Sequence, residues 1–443
     1  MAKPRSRLAT ARRIGLAASH QPIRETLHAA RPIALMSPKF TAFAPILLGI
    51  ASAQVAQGLL GPLIPLLLVE QGVPTAQIGM VASAHSAGFL IGSLYCTRLI
   101  PRLGHGRAFV AFAVAAADAI LLMAIWQSPL GWAILRAIAG MAYAGMCIVA
   151  ESWLNARANN QSRGRVFGLY MVASWGGGLA GPLILSVLPP TVLMFAGAGM
   201  AYATALLPVA LVPPITAPTR IGPRMGLLSL WRISPVGLAC GLSAGLANST
   251  FYALTPVYLQ RLDHDTVAVG MFALVANIAG LLVQMPAGML SDRVGRRPVA
   301  LAALFGPAAA AIGFLVAGPA ALPVLLVLGA LLAGLAAPLY GLGAGLTNDR
   351  LDSEDAVAAA GAMLLAWSVG ATIGPSAGGF VMHLLGPPGL FWYLASVFGA
   401  MALFTVWRML LRAEVPRDQR TTFVPAASPP PRLPATLPEP ETP

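Results

Sequence analysis

The stretch Gly288-Met289-Leu290-Ser291-Asp292-Arg293-Val294-Gly295-Arg296-Arg297 is a short basic turn between two long apolar runs. The runs cover 267–289 and 298–317, and each is close to the roughly 20 residues that a helix needs to cross a bilayer. Gly288 would let neighbouring helices approach closely. Gly295 would supply a turn that a β-branched residue does not readily make. The stretch therefore predicts a tight loop that joins two membrane helices.

Composition supports a membrane protein with many spans. The chain has 443 residues, of which 57% are hydrophobic and 10% are charged, whereas a soluble domain carries about 25% charged residues. The net charge of +13 would suggest a nucleic-acid partner, but the placement of the charges indicates an anionic membrane surface instead. The three cysteines, Cys96, Cys147 and Cys240, lie far apart in apolar runs. They predict packed thiols rather than a metal site or disulfides.

The apolar runs predict an all-α polytopic membrane protein with twelve transmembrane helices. Gly- and Pro-containing turns separate most of the runs. The predicted spans are 43–69, 76–97, 108–126, 130–154, 166–188, 191–213, 234–259, 267–289, 298–317, 322–347, 356–383 and 388–411.

Positive charge predicts the orientation of these spans. Nearly all of the 28 lysines and arginines fall in the tails or in alternate loops, and Arg261 and Arg136 are the clear exceptions. Because positive residues accumulate on the cytoplasmic side, we expect both termini in the cytoplasm.

The chain divides into two halves that repeat. Val269-Gly270-Met271 follows Ile78-Gly79-Met80 by 191 positions, and Trp367 follows Trp175 by 192. Such an offset predicts two parallel repeats with a binding site between them near mid-membrane. The predicted regions are a basic disordered tail at 1–42, one six-helix bundle at 43–213, a cytoplasmic linker at 214–233, a second bundle at 234–412 and a Pro-rich disordered tail at 413–443. The first tail could also be a presequence, or the start could be Met36.

The opening stretch resembles the loop signature of the major facilitator superfamily, Gly-x-Leu-x-Asp-Arg-x-Gly-Arg-Arg. The first-half copy is degraded, with Thr97 in place of the opening glycine and Pro101 in place of the acid. The resemblance implies two pseudo-symmetric six-helix bundles that rock about a central cavity. Arg136-x-x-x-Gly140 resembles a motif of proton-coupled members, and Gly370-x-x-x-Gly374-Pro375 resembles an antiporter pattern. In antiporters that pattern belongs to span five rather than span eleven.

Polar groups within the spans are the candidate site residues, because burying them in a bilayer is costly. Asp118 and Arg136 lie at similar depth on consecutive spans, which predicts either a fixed ion pair or a proton-coupling site. Amide, aromatic and histidine side chains on the spans that line the cavity in the resembling fold predict solute ligands or helix–helix contacts. These candidates are Gln54, Gln57, His85, Trp175, Asn248, Tyr252, Asn277, Gln284 and Trp367.

Charged residues at the inner helix ends predict a cytoplasmic gate, in which acids of one half meet arginines of the other. The alternative is a solvated charged rim. The gate residues are Glu151, Arg163, Arg165, Gly288, Asp292, Arg293, Gly295, Arg296, Arg297 and Asp349. Gly181-Pro182 and Gly374-Pro375 predict helix bending or close packing.

These features favour a secondary transporter of a small solute, with proton-coupled efflux ahead of proton symport or uniport for uptake. We expect no cofactor, no metal and no nucleic acid, and we expect a monomer whose partners are a small solute, protons and anionic lipid. A polytopic enzyme is less favoured, because no nucleophile–base set appears. Few charges fall on the expected cavity, which favours a neutral or lipophilic solute or a single cation.

Overall fold

The computed structural model describes residues 43–157, 163–210, 225–351 and 355–411. Within these ranges the chain is helical, and no residue lies in a strand. The helices are α1 (Ala44–Glu70), α2 (Thr75–Leu103), α3 (His105–Ile125), α4 (Pro129–Arg157), α5 (Arg163–Leu185), α6 (Met194–Thr204), α7 (Leu206–Ala210), α8 (Leu227–Ile233), α9 (Pro235–Arg261), α10 (Thr266–Val294), α11 (Arg296–Ala317), α12 (Leu322–Ala336), α13 (Leu339–Asn348), α14 (Ala356–Leu385) and α15 (Gly389–Leu411).

The helices follow the predicted spans. Within the described ranges, ten helical segments are long and apolar enough to cross a membrane, with α12 and α13 counted as one. The sixth span is the pair α6 and α7, which forms a shorter apolar segment over Met194–Ala210, and its predicted end at residue 213 lies outside the described residues. The tenth span is broken into α12 and α13 beside Pro338, because proline cannot continue the hydrogen-bond pattern of a helix.

Helix α9, the seventh span, is 27 residues long but is not among the ten apolar helices. Several of its side chains carry hydroxyl groups that bond a carbonyl of the preceding turn. The Oγ of Ser249 donates to Gly245 O at 2.6 Å, and the Oγ1 of Thr255 donates to Phe251 O at 2.6 Å. Intrahelical bonds of this kind satisfy polar groups in a helix that neighbours surround.

Two glycines make turns at equivalent places in the two halves. Gly104 ends α2 with φ +77°, and Gly295 ends α10 with φ +110°. Residues with a side chain rarely adopt a positive φ of this size, whereas glycine adopts it without steric penalty. The turn predicted at Gly295 is confirmed.

The helices form two pseudo-symmetric six-helix bundles, and an equivalent pair of helices makes a glycine-lined contact in each. In the first bundle α5 lies on α1, where a methyl group at Gly181 would collide with the backbone of Gly58. In the second bundle α14 lies on α9, where Gly374 meets the backbone of Leu246. Close packing at Gly181 and Gly374 is therefore present. Pro182 and Pro375 lie inside helices that run through them, and bending at these prolines stays a prediction.

The bundles meet where α2 and α10 begin and where α5 and α14 end; we call this the α2 end. Gly79 of α2 contacts the carbonyl of Pro375 on α14. Its repeat mate, Gly270 of α10, contacts Ser186, which directly follows α5. The same pair of contacts therefore occurs twice, as expected of a duplicated bundle.

The predicted regions outside the bundles are only partly described. The linker at 214–233 contains the short helix α8, and its earlier residues, up to 224, lie outside the described ranges. The tails at 1–42 and 413–443 also lie outside the described ranges.

Candidate functional site: a central cavity

A cavity of about 350 Å³ lies between the two bundles. Its wall comes from α1, α2, α4 and α5 of the first bundle and from α9, α10, α12 and α14 of the second. The volume falls within the range of small-molecule sites in proteins. All nine residues predicted to line a substrate cavity lie in its wall, namely Gln54, Gln57, His85, Trp175, Asn248, Tyr252, Asn277, Gln284 and Trp367. Their roles as solute ligands remain predictions.

Hydrogen bonds between helices hold the polar groups of the first bundle. The hydroxyl of Tyr143 on α4 donates to Gln54 Oε1 on α1 at 2.6 Å. The Nε2 atoms of Gln57 on α1 and His85 on α2 are 2.8 Å apart. A glutamine Nε2 donates, so His85 Nε2 is the acceptor in this bond. Both bonds join neighbouring helices and fix this wall.

Two polar side chains of the second bundle each bond a carbonyl of their own helix. The Nδ2 of Asn277 on α10 donates to Ala273 O at 2.7 Å. On α9, the Oγ1 of Thr250 donates to Leu246 O at 2.6 Å. These two bonds satisfy part of the hydrogen-bonding capacity of each side chain within one helix and do not join two helices.

Sequence reasoning missed several aromatic residues of the cavity. Phe89 lies edge-on to Trp367 across the two bundles, with ring centroids 6.5 Å apart, and lies 6.1 Å from Tyr143. Aromatic residues within an apolar span look like core residues, so composition does not single them out. The sequence did carry one signal that Tyr143 belongs to the site. It follows Gly140 by three residues and therefore lies on the same face of the helix.

The described residues of the cavity wall include no Asp, Glu, Lys or Arg. Aromatic, amide, hydroxyl and small side chains make up most of the wall instead.

The structure does not bring Asp118 and Arg136 together. Asp118 is exposed on α3, whereas Arg136 is buried, with 8% of its surface exposed. No carboxylate of the described residues forms an ion pair with Arg136, and its Nη1 atom has no hydrogen-bond partner. The expectation of a fixed ion pair is therefore wrong for this conformation, because the two side chains lie in different surroundings. A proton-coupling role for either residue remains untested.

Arg136 instead lies next to the wall of the cavity. Its neighbours include His85 on α2 and Tyr202 on α6. One turn further along α4, Gly140 packs against the backbone of His85. The guanidinium therefore sits behind a cavity residue without lining the cavity itself.

The opening stretch forms a buried ion pair within the second bundle. Arg296 Nε lies 2.7 Å from Asp349 Oδ2, and the two side chains are 2% and 5% exposed. Asp292 Oδ1 lies 4.0 Å from Arg296 Nη2. Both partners belong to the same bundle. This ion pair does not join the two halves, and a contact of Asp349 with an arginine of the other half stays a prediction.

The other gate residues lie in varied surroundings. Glu151 is buried near the end of α4, and the Tyr170 hydroxyl donates to its Oε1 at 3.5 Å. Arg297 and Gly288 are buried, and Arg293 is exposed. The side chains of Arg163 and Arg165 lie outside what the structure describes. A gating role for these residues stays a prediction.

Comparison with known proteins identifies the family. The sequence model of the Major Facilitator Superfamily matches residues 46–283 and 268–438. The chain belongs to the major facilitator superfamily. It is therefore a membrane transporter with multiple membrane-spanning helices, and the predicted family and fold class are confirmed.

Two relatives are uncharacterized MFS-type transporters. One, from Enterobacter sp. (strain 638), is 30% identical over 83% of this chain and 94% of its own length. The other, YcaD of Salmonella enteritidis PT4, is 29% identical over 80% of this chain and 92% of its own.

Solved structures share the fold at low identity. A single-residue mutant of the nucleoside transporter NupG has a TM-score of 0.72 at 14% identity, over 84% of this chain and all of that chain. A bacterial homolog of the human lysosomal transporter Spinster, in an inward-facing and unoccupied conformation, has a TM-score of 0.64 at 13% identity, over 84% of this chain and 95% of its own.

Proposed function

We propose that the protein is a secondary transporter of the bacterial inner membrane, which moves a small solute by alternating access and exports it in exchange for protons. The observation that carries this proposal is the central cavity, which draws its wall from both bundles. In transporters built from two parallel repeats, a site at this interface is reached from either face as the bundles rock.

Contacts at the α2 end support a conformation that is closed on one side. There Gly79 packs on Pro375, and Ser376 donates a hydrogen bond from its backbone nitrogen to Ser83 Oγ at 2.9 Å. The side chains of this serine pair are also hydrogen-bonded, with their oxygens 2.8 Å apart. With both termini in the cytoplasm, the α2 end is the outer one, so this conformation is closed toward the outside.

Transport in everted membrane vesicles tests the proposal. The vesicles would be made from cells with and without the chain, energised to form a pH gradient, and offered drugs, sugars, nucleosides and amino acids in turn. We expect at least one solute to enter and to dissipate the gradient only where the chain is present. Uptake that is unaffected by collapsing the gradient would contradict proton exchange and support uniport.

A proton symporter for uptake is the second candidate. The antiporter-like pattern lies on α14 rather than α5, which weakens the case for exchange. Right-side-out vesicles distinguish the two, since a symporter accumulates solute when the outside is acidified and an exporter does not.

A further inference from the structure

We propose that the central cavity takes a solute without positive charge that carries a flat ring and several hydrogen-bonding groups, and that buried Arg136 keeps cations out. This inference rests on the proposed function, because it takes the cavity to be the solute site.

Aromatic side chains supply the ring-binding surface. Trp175 and Trp367, repeat mates on α5 and α14, lie in opposite bundles, and Phe89 packs edge-on to Trp367. Further rings in the same wall come from Tyr143, Phe251, Tyr252 and Phe272. Aromatic rings give large apolar contact area and favour stacked or edge-on rings as partners.

Amide side chains supply the polar surface without charge. They come from both bundles and include Gln57 and Asn248. An amide offers both donors and acceptors, so it can bind the hydroxyl, carbonyl or amide groups of a neutral solute. Because no charged residue of the described chain lines the cavity, a cation there would lose hydration without gaining a counter-charge.

The buried positive charge of Arg136 favours a neutral solute over a cation. The aromatic rings alone could hold a cation over their faces. The guanidinium of Arg136, however, is buried beside His85 and has no carboxylate of the described residues within 4.0 Å. Its other titratable neighbour is Tyr202 on α6. The phenol of this residue supplies no carboxylate to balance the charge of the arginine. Positive charge is weakly screened in such surroundings, so the cavity repels a second cation.

Three matched probes test the charge preference. Nicotinamide, nicotinate and 1-methylnicotinamide share one ring and are neutral, anionic and cationic. Binding to the purified full-length protein would be followed by quenching of tryptophan fluorescence, with uridine and phenyl β-glucoside as larger neutral probes. We expect saturable binding of neutral probes, with 1-methylnicotinamide at least about tenfold weaker than nicotinamide. Binding of 1-methylnicotinamide as tight as nicotinamide or nicotinate, or no binding by any neutral probe, overturns the proposal.

Two substitutions test the part played by Arg136. In Arg136→Gln we expect the ratio of nicotinamide affinity to 1-methylnicotinamide affinity to fall about tenfold, while Arg136→Lys keeps that ratio. An unchanged ratio in folded Arg136→Gln overturns the role given to this arginine. If Arg136→Gln does not fold, the three probes on the unaltered protein still decide the charge preference.

Exchange in proteoliposomes separates failure of this inference from failure of the proposed function. Vesicles loaded with a bound probe would be diluted into the same probe carrying a radioactive label. A neutral probe that binds but does not exchange argues against transport and leaves the charge preference standing. A cation that exchanges faster than its neutral counterpart overturns the charge preference and leaves transport standing.

Discussion

Arg296 and Asp349 are the residues whose interaction is most fully defined. Their charged groups are 2.7 Å apart and almost completely buried, and the guanidinium of Arg296 also lies over Gly345 near the end of α13. The carbonyl end of a helix favours a positive charge. The first of the two adjacent arginines that close the loop signature therefore anchors the α10–α11 turn to α13.

Removing one member of this pair should destabilise the protein strongly. We expect Arg296→Ala to lower the free energy of unfolding by about 3–5 kcal/mol, because it leaves Asp349 buried without this partner. Arg293→Ala, at an exposed position of the same turn, should change it by less than about 0.5 kcal/mol. Unfolding in mixed micelles measures both, and equal losses for the two variants would contradict the buried pair.

Asp118 tests the proton-coupling hypothesis at a single residue. If its carboxylate binds the coupled proton, Asp118→Asn should abolish transport driven by a pH gradient while solute exchange without a gradient continues. Because Asp118 is exposed and forms no ion pair with Arg136 in this conformation, the substitution should barely change stability. Full gradient-driven transport by the variant would remove Asp118 from the mechanism.

At the scale of elements, the glycines of α5 and α14 set how closely each helix approaches its neighbour. Gly177 and Gly181 face α1, whereas Gly176 on the same helix meets no atom within 4 Å of an added methyl group. The sequence identified Gly181 through its proline motif, but it could not tell packing from bending, since both use the same residues.

Adding one methyl group to α5 should therefore destabilise the protein at Gly181 and leave its stability unchanged at Gly176. We expect Gly181→Ala to cost about 1–3 kcal/mol through overpacking against the backbone of Gly58, and Gly176→Ala to cost almost nothing. Melting temperature in detergent reports both changes. A stable Gly181→Ala protein would show that α5 can move away from α1 without loss.

At the scale of the whole molecule, the duplicated architecture could be predicted and part of the site could not. The offset between Gly79 and Gly270 anticipated two equivalent contacts between bundles, and the amide residues anticipated the cavity wall. The pairing of Arg296 with Asp349 and the separation of Arg136 from Asp118 could not be predicted. Which charges meet depends on how the helices are rotated about their axes, and a sequence period does not fix that rotation when a helix is apolar on most sides.

Locking the α2 end should stop the transport cycle. We expect Ser83→Cys with Ser376→Cys, in a chain whose three native cysteines are replaced by alanine, to form a disulfide, because the serine oxygens are 2.8 Å apart. Oxidation should abolish transport, and a reducing agent should restore it. Ser83→Cys alone controls for the substitution, and undiminished transport by the oxidised pair would contradict opening at this end.

Labelling tests the orientation of the whole chain. Arg293→Cys, at an exposed position of the α10–α11 turn, should react with a membrane-impermeant maleimide in everted vesicles and not in intact cells, since positive loops face the cytoplasm. Labelling from outside intact cells would reverse the orientation.

The unequal hydrogen bonding of the two cavity walls has a consequence for how the protein discriminates between related molecules. Hydrogen bonds between helices hold the first wall in place, since Gln54 bonds Tyr143 and Gln57 bonds His85. A wall that is already ordered loses little entropy when a solute binds. On the opposite wall, Asn277 bonds a carbonyl of its own helix, so we expect this amide to exchange that bond for one to a solute more readily. Among analogues of one solute, a change at the edge that faces the first wall should therefore weaken binding strongly. A change at the opposite edge should weaken it little.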